Sequence, residues 1–472
     1  MAREDFAILR CGQHELSLAR PRIMGMLEVG PRGLAAEEAI APGKAMLDEG
    51  ADLLDVSFAP APEELPATDS AAARARRAAI DVEGEAVVPI VRGLVDTGAI
   101  VCITTRHPQV AKMCIRLGAE VLDDPEGFTN AEMVEVAAES DCACVVICDS
   151  EFRVNASRRS VVLDQTHTPL RPVASNRRFT LPEEAPIMRE IMGFLGDQAR
   201  MLLRAGVSRD RICFDPGLGQ NKTPDEDVVV QRNAKKLMSL GYPLLQSVSE
   251  GDFSTSVTGP QADKAAAMGF CIWGIQAGTR ILRVHDVAQM AEAVNAYWAM
   301  AKPDARQGFV SLGSNVGDRI GYLSQAVQLI DKIPMTCVVA VSSAYETEPA
   351  YGIATPVANA VAEIRTELHP LVLLDQLTEI ENKLGRIRDP KTLGHGPRTI
   401  DCDLVWVEGE THAGERLTLP HAHLGERDYV LVPMEDLMHD PVRFLTHAGV
   451  EVAEPDQRIG RVTSELGPLD WK

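Results

Sequence analysis

The chain has 472 residues, too many for one ordinary core, and reads as more than one domain. Hydrophobic residues at 45% and charged residues at 24% are globular proportions, which exclude a disordered or fibrous protein. With Asp+Glu 68 against Lys+Arg 47, the net charge of −21 makes the chain as a whole repel nucleic acid and anionic membrane, and aromatics at 4% argue against base stacking. Any phosphate site must therefore be a local basic island.

The opening MAREDFAILRCGQHE lacks the basic-then-apolar pattern of an export signal. The longest apolar runs, such as MGFCIWGI, fall far short of the ~20 residues that span a bilayer. Ten scattered cysteines form no C-x-x-C pair, and Cys142, Cys144 and Cys148 lie in one apolar run that reads as a buried strand. The expectation is a cytoplasmic protein with reduced thiols and no membrane or nucleic-acid partner. The sequon Asn155-Ala156-Ser157 carries no weight without export.

From Ile23 to about residue 300, short apolar runs alternate with helical stretches. The runs are 23–29, 52–58, 99–104, 119–124, 144–150, 211–216, 242–248 and 280–284, each Val/Ile/Leu-rich with weak alternation, as for strands buried on both faces. Helical patterns such as ADKAAAMGFCIWGIQA and DVAQMAEAVNAYWAM separate them. Eight strands so spaced predict an α/β fold, a (β/α)₈ barrel over 1–300. The polar segment 301–307 reads as a linker, after which the rhythm changes. Strands are expected at GFVSLG, CVVAVSSAYET, VANAVAEIRTE and DCDLVWVE, with helices at IGYLSQAVQLIDKI and LVLLDQLTEIENKLG. Residues 308–472 are thus a separate α+β domain.

Residues 382–400 hold Lys383, Arg386, Arg388, Lys391 and Arg398 against one acid, Asp389, in a Gly- and Pro-rich loop. Asp401-Cys402-Asp403 follows at the start of a strand. Alternation puts Asp401 and Asp403 on one face, with Ile400, Cys402, Leu404 and Trp406 on the other. Two adjacent carboxylates suit Mg²⁺ with phosphate oxygens completing its shell, and arginines beside them suit phosphoryl transfer. Two other patterns carry no such chemistry. Gly217–Thr223 has Asn221 where a P-loop needs glycine, and His421 with His423 lack a third zinc ligand, so a phosphate-facing histidine fits better.

Residues 308–440 resemble 6-hydroxymethyl-7,8-dihydropterin pyrophosphokinase in FVSLGSNVGDR, SSAYETEP, GRIRDPKTLGHGPRTIDCDLVW, RLTLPHAHLGER and DYVLVPMEDL, in the family's order. The resemblance implies a ferredoxin-like α+β fold and transfer of diphosphate from ATP to the pterin hydroxymethyl group. It implies two Mg²⁺ on Asp401 and Asp403, and catalytic arginines at Arg386 and Arg398. ATP contacts fall on Glu381, Arg388, Arg416, Thr418, His421 and Arg427, and pterin contacts on Thr347, Asn359 and Tyr429. Val357 stands where the family usually has an aromatic, after a short loop, which implies looser pterin binding.

The first 300 residues resemble dihydropteroate synthase in IMGMLEVGP, GADLLDVS, GAEVLDD, FDPGLGQNK and ILRVHDV. Most of that family's site residues are replaced. Glu28 stands for an asparagine, Gly30-Pro31-Arg32-Gly33 for a Thr-Pro-Asp-Ser loop, and Ala59-Pro60-Ala61-Pro62 for the p-aminobenzoate loop. Thr104-Thr105 replaces an Asp-Thr pair and Asp123 an asparagine. Ser249-Glu250-Gly251-Asp252 replaces a Ser-Arg-Lys-Ser motif, whose lysine meets the pterin. Asp215, Arg283 and His285 survive, with Asp286. Arg283 either binds an anion with His285 or pairs with nearby acids to close the barrel, and the sequence leaves both open. The expected protein is a pyrophosphokinase carrying a synthase-like barrel without synthase activity. The alternatives are a bifunctional enzyme in which Lys222 replaces the lost lysine, and a barrel that serves as a binding or homodimerisation module through Val287, Met290, Val294 and Trp298.

Overall fold

Eight of the apolar runs are strands, and each finds parallel partners because a strand with two apolar faces is stable only when both are covered. The computed structural model describes residues 8–30, 34, 36–59, 69–149, 186–220, 222–247, 258–259, 264–301, 305–350, 355–386 and 397–472. The chain divides into two compact units, Met1–Val294 and Asn295–Lys472.

The first unit opens with a hairpin, β1 (Ile8–Cys11) and β2 (His14–Ser17), that the apolar pattern did not announce. The barrel strands follow as β3 (Arg22–Val29), β4 (Leu53–Phe58), β5 (Val101–Thr104), β6 (Val121–Asp124), β7 (Ala143–Ile147), β8 (Ile212–Asp215), β9 (Leu245–Ser247) and β10 (Ile281–Val284). They form one parallel sheet in the order β8-β7-β6-β5-β4-β3-β10-β9. A parallel bridge between Phe214 and Leu244 brings the two ends together. Every residue of β6, β7, β8 and β10 is buried. The fold is the (β/α)₈ barrel expected.

The hairpin caps the strand starts. Leu9, Cys11, Leu16 and Leu18 join Met24, Leu53, Ile100, Cys102, Val121 and Val145 in one buried cluster, each such side chain contributing about 1.5–3 kcal/mol. His14 Nδ1 lies 2.7 Å from Glu120 Oε1, and Gly12 donates to Asp141 O at 3.1 Å. All ten cysteines are free and only Cys337 is exposed, so the thiols of ACVVIC are buried as read. No described helix is long and apolar enough to cross a membrane.

The last helix of the barrel pattern runs Val287–Ala301, and Arg306 already belongs to β11 (Arg306–Ser314). The expected linker 301–307 is therefore too long at both ends. Arg306 and Gln307 are polar, but strand membership rests on backbone pairing, here with Thr366 and Arg365. Val287, Met290 and Val294 are buried, and Trp298 is half-buried. The expected dimer stripe is thus mostly core packing.

The second unit builds an antiparallel sheet from β11, β12 (Thr336–Val341), β13 (Ala344–Thr347), β14 (Val357–Thr366), β15 (Asp401–Val407) and a further strand, Val462–Gly467. The run CVVAVSSAYET is two strands rather than one. Both pair with β14, and they part at Ser342, whose Oγ accepts from Val361 N at 2.9 Å. Ala358, Ala360 and Ala362 take one face of β14, where small side chains let helices Arg319–Ile330 and Pro370–Lys383 pack close. The other face meets helices Asp428–Glu435 and Pro441–His447.

A bulge in β15 changes one expected orientation. Opposite β11 the register shifts between Phe309, facing Trp406, and Val310, facing Leu404. Val405 is the extra residue, so alternation slips by one. Ile400, Cys402, Leu404 and Val407 share one core, while Trp406 turns to the opposite face with Val405, stacking near Phe309 and Phe444. The bulge lies beyond the aspartates, so they keep their common face.

Candidate active site

β15 starts where the basic loop ends, so the chain itself delivers arginines to the carboxylates. Asp401 and Asp403 are half-buried while Cys402 between them is buried. Arg386 and Arg398 both pair with Asp401, Arg398 Nη1 lying 2.8 Å from Asp401 Oδ2. Glu381, in the last turn of Pro370–Lys383, is buried beneath them. Its Oε1 accepts from Arg386 Nη1 at 2.6 Å and from the Cys402 backbone at 2.8 Å. On the other side Arg427 Nη1 lies 3.8 Å from Asp403 Oδ2 and 3.4 Å from His421 Nε2, with its guanidinium over the Tyr429 ring at 5.5 Å.

The two aspartates titrate apart. Burial raises Asp401, but Arg398 and then Arg386 outweigh it and hold its carboxyl below the usual range. Asp403 is pushed up to about 7, first by burial of the cleft floor and second by the charge of Asp401. Its side chain still reaches water, at 42% exposed, which moderates that rise. His421 is driven down to about 4 by burial, Arg427 and His423, so it is a neutral imidazole at physiological pH. His423 is exposed and turns to Glu426 at 2.6 Å, away from any shared zinc arrangement with His421.

Asn359 lies on β14, across β11 from the carboxylates, and Thr347 on β13 beyond it. Asn359 Nδ2 donates to Thr347 Oγ1 at 2.7 Å, and both residues are buried. Gly313 links them to the carboxylates, since it is paired with Asn359 on one side and Asp401 on the other. Arg416 and Thr418 sit farther out. Arg416 is exposed and pairs with Asp375 at 2.5 Å, and Thr418 is exposed on a two-residue strand. Arg388 lies outside the described residues. Two contributors went unremarked in the sequence, Asn315 and Asp375. Asn315 follows directly on β11 and accepts from the Arg398 backbone N–H at 2.7 Å.

In the barrel, Arg283 points into the interior and is 6% exposed. Three carboxylates enclose it. Asp123 accepts from Nη1, Asp215 Oδ2 lies 3.3 Å from Nη2, and Asp55 Oδ2 lies 3.5 Å from Nη1. Thr104 Oγ1 donates to Asp55 at 2.6 Å, and Gly217 N to Asp215 at 2.7 Å. Burial alone would lower the arginine, but Asp123, Asp55 and Asp215 keep it charged. Burial raises Asp123 and Asp215. Of the two readings of Arg283, the ion-pair closure of the barrel is the arrangement found. His285 is exposed, so it does not share the arginine's surroundings. Lys222 Nζ donates to the carbonyls of Cys148, Gly217 and Gln220 at 2.8, 2.5 and 3.2 Å. Glu28 is exposed. Residues 31–33, 60–62 and 249–252 lie outside the described residues. Asp55 was missed, although an acid in the middle of DLLDVSF is its own signal, because a buried strand tolerates a charge only when it is paired.

Fold and site define a class: a parallel (β/α)₈ barrel followed by an antiparallel domain whose paired carboxylates and converging arginines are those of a phosphotransferase. A family model described as 7,8-dihydro-6-hydroxymethylpterin-pyrophosphokinase matches residues 309–439, and one described as pterin binding enzyme matches residues 30–285. The 2-amino-4-hydroxy-6-hydroxymethyldihydropteridine pyrophosphokinase of Bacillus subtilis is 37% identical over 163 residues, 34% of this chain and 93% of its own length. The folic acid synthesis protein fol1 of Schizosaccharomyces pombe is 40% identical over 146 residues, 31% of this chain and 20% of its own. A dihydropteroate synthase structure from Xanthomonas albilineans shares the barrel fold at 23% identity and TM-score 0.51, covering 63% of this chain and 98% of that one. The chain belongs to the pterin binding enzyme family over its first unit and to the hydroxymethyldihydropterin pyrophosphokinase family over its second.

Proposed function

We propose that the second unit transfers diphosphate from ATP to 6-hydroxymethyl-7,8-dihydropterin in folate biosynthesis, and that the barrel makes no dihydropteroate. The observation that carries the first half is the pair Asp401 and Asp403 on one strand face under Arg386, Arg398 and Arg427. The donor set fits Mg²⁺, because the two carboxylates offer hard oxygens and arginines stand ready for the phosphates. Two Mg²⁺ held by Asp401 and Asp403 would neutralise polyphosphate charge. The pterin hydroxyl oxygen attacks the β-phosphorus and gives up its proton to solvent, the bond from the β-phosphorus to the α-phosphate oxygen breaks, and AMP leaves.

The chain's own groups orient and neutralise. Arg386 and Arg398 stabilise charge on the moving diphosphate, and Arg388, Arg416, Thr418, His421 and Arg427 contact ATP. His421 does so as a neutral imidazole, which can accept from Arg427 while leaving it aimed at phosphate. Glu381 is better fitted to holding Arg386 and the β15 backbone than to touching ATP, since it is buried beneath both. Thr347, Asn359 and Tyr429 hold the pterin.

The second half rests on Arg283. A guanidinium already enclosed by Asp55, Asp123 and Asp215 has little left to offer a diphosphate, and the three acids would repel one. We read the barrel as a module of a cytoplasmic, homodimeric protein. The bifunctional reading draws its support from Asp215 and Arg283, which remain at the C-terminal strand ends, where barrel enzymes carry their sites.

One assay separates the readings. Purified chain with ATP, Mg²⁺ and the hydroxymethyl pterin is expected to release AMP. Given the pterin diphosphate and p-aminobenzoate, it is expected to yield no dihydropteroate. Dihydropteroate formation would overturn the barrel reading, and absence of AMP would overturn the kinase reading.

A further inference from the structure

β11 ends beside both halves of the candidate site, and its end forms a closed frame with β15. Gly313 is directly opposite Asp401. Two residues on, Asn315 Oδ1 accepts from the Arg398 backbone N–H at 2.7 Å, and Asn315 N donates to Arg398 O at 3.2 Å. Arg398 in turn reaches Asp401 at 2.8 Å. Asn315 is 9% exposed, so its amide is shielded from competing water. The flanking hydroxyls Ser314 Oγ and Thr399 Oγ1 are buried and make no hydrogen bond among the described residues. Strand register does not reach this far, because the β11–β15 ladder stops at Gly313 and Asp401. An arginine has the rotamer freedom of a long side chain, which a fixed backbone narrows.

We propose that Asn315 is a positioning residue for the phosphoryl-transfer site: by holding the backbone of Arg398 at both its N–H and its C=O, it fixes where that guanidinium stands over Asp401. This rests on the pyrophosphokinase reading only for its consequence in turnover. The physical tie is separately observable. Asn315→Ala removes the side-chain half of the clamp and leaves the backbone half.

In Asn315→Ala, kcat for AMP formation is expected to fall roughly 10- to 100-fold, the cost of a small misplacement of a catalytic group. KM for ATP and for the pterin, and the melting temperature, should stay near wild type. The double variant Asn315→Ala/Arg398→Ala should be no slower than Arg398→Ala alone, since the asparagine acts through the arginine. Hydrogen exchange at the Arg398 amide, read on the full chain, should accelerate in Asn315→Ala and stay slow in Asn315→Asp, which keeps an accepting oxygen. Unchanged exchange in Asn315→Ala, or losses that multiply in the double variant, would overturn the proposal. A wild-type chain that forms no AMP would overturn the kinase reading instead, with the exchange measurement still deciding whether Asn315 holds Arg398.

Discussion

Each unit of this chain holds arginine against carboxylate, and the two arrangements do opposite things. In the barrel one guanidinium, 7% exposed in its side chain, is enclosed by three acids that are themselves 0–1% exposed. In the second unit Arg386, Arg398 and Arg427 face Glu381, Asp401 and Asp403, and the outermost carboxylate is 42% exposed. The first arrangement is closed: its charges are spent on one another in a place water does not reach, where breaking them is costly. The second sets three arginines against three carboxylates, one of which still reaches water. The number of arginines per carboxylate and the exposure of the last oxygen separate the barrel's ion cluster from the candidate site of the second unit, although both contain the same residue types.

The comparison can be broken in four places. The largest effect is expected at the paired carboxylates of β15. Asp401→Ala or Asp403→Ala should cut AMP formation by at least ~10²-fold with the circular dichroism spectrum unchanged, as for loss of a main electrostatic element. Retained turnover in either would remove the metal assignment. Next, Arg283→Ala should destabilise the barrel by about 3–5 kcal/mol, because it leaves buried acids unpaired, and yet leave AMP release untouched. Arg398→Ala should do the reverse, and a melting curve beside a rate measurement separates the two.

A smaller effect is expected at Gly313. A Cβ there would stand 3.1 Å from Asn359 Oδ1 and 3.9 Å from Asp401 Cβ, so Gly313→Ala must displace the asparagine by a few tenths of an ångström. KM for the pterin should rise more than KM for ATP, and an equal rise in both would place the strain elsewhere. The smallest concerns the hairpin under the barrel. The hydrogen bond to Glu120, its largest cause, raises the pKa of His14 against the opposing effect of burial. A group raised in the folded state stabilises fully below its unfolded pKa of roughly 6.5, and that contribution fades as pH rises through the folded value. Urea midpoints at acid and alkaline pH should therefore differ less in His14→Ala than in wild type. An unchanged difference would mean that the pair is too solvated to matter.

How much of this was legible follows from what kind of signal each feature sends. The eight barrel strands were readable because a strand buried on both faces must be apolar throughout, and short Val, Ile and Leu runs between helical stretches fit little else. The carboxylate pair was readable because D-x-D on a strand shares a face by geometry alone. The hairpin Ile8–Ser17 was not, since four-residue strands with alternating burial look like any short polar segment until a barrel end gives Leu9 and Leu16 something to cover. Trp406 was assigned to the wrong face because alternation was carried through a bulge that only pairing with β11 creates. Asn315 sent no signal, because its role depends on a backbone amide 83 residues away.

The amino-acid sequence by itself determined the two-part architecture, the strand count of the barrel, the buried cysteines of ACVVIC and the basic island beside Asp401 and Asp403. These depend on composition and short-range periodicity, which local residues encode. Tertiary structure alone decided that Arg283 is enclosed rather than open, that Glu381 lies beneath Arg386, and that Asn315 holds Arg398. Charge and hydrogen-bonding partners come from whichever segments the fold brings together: Asp55, Asp123, Asp215 and Arg283 stand on four different strands. A polar side chain's role is set by the groups within a few ångströms of it, and for Arg283 and Asn315 those groups are remote in sequence.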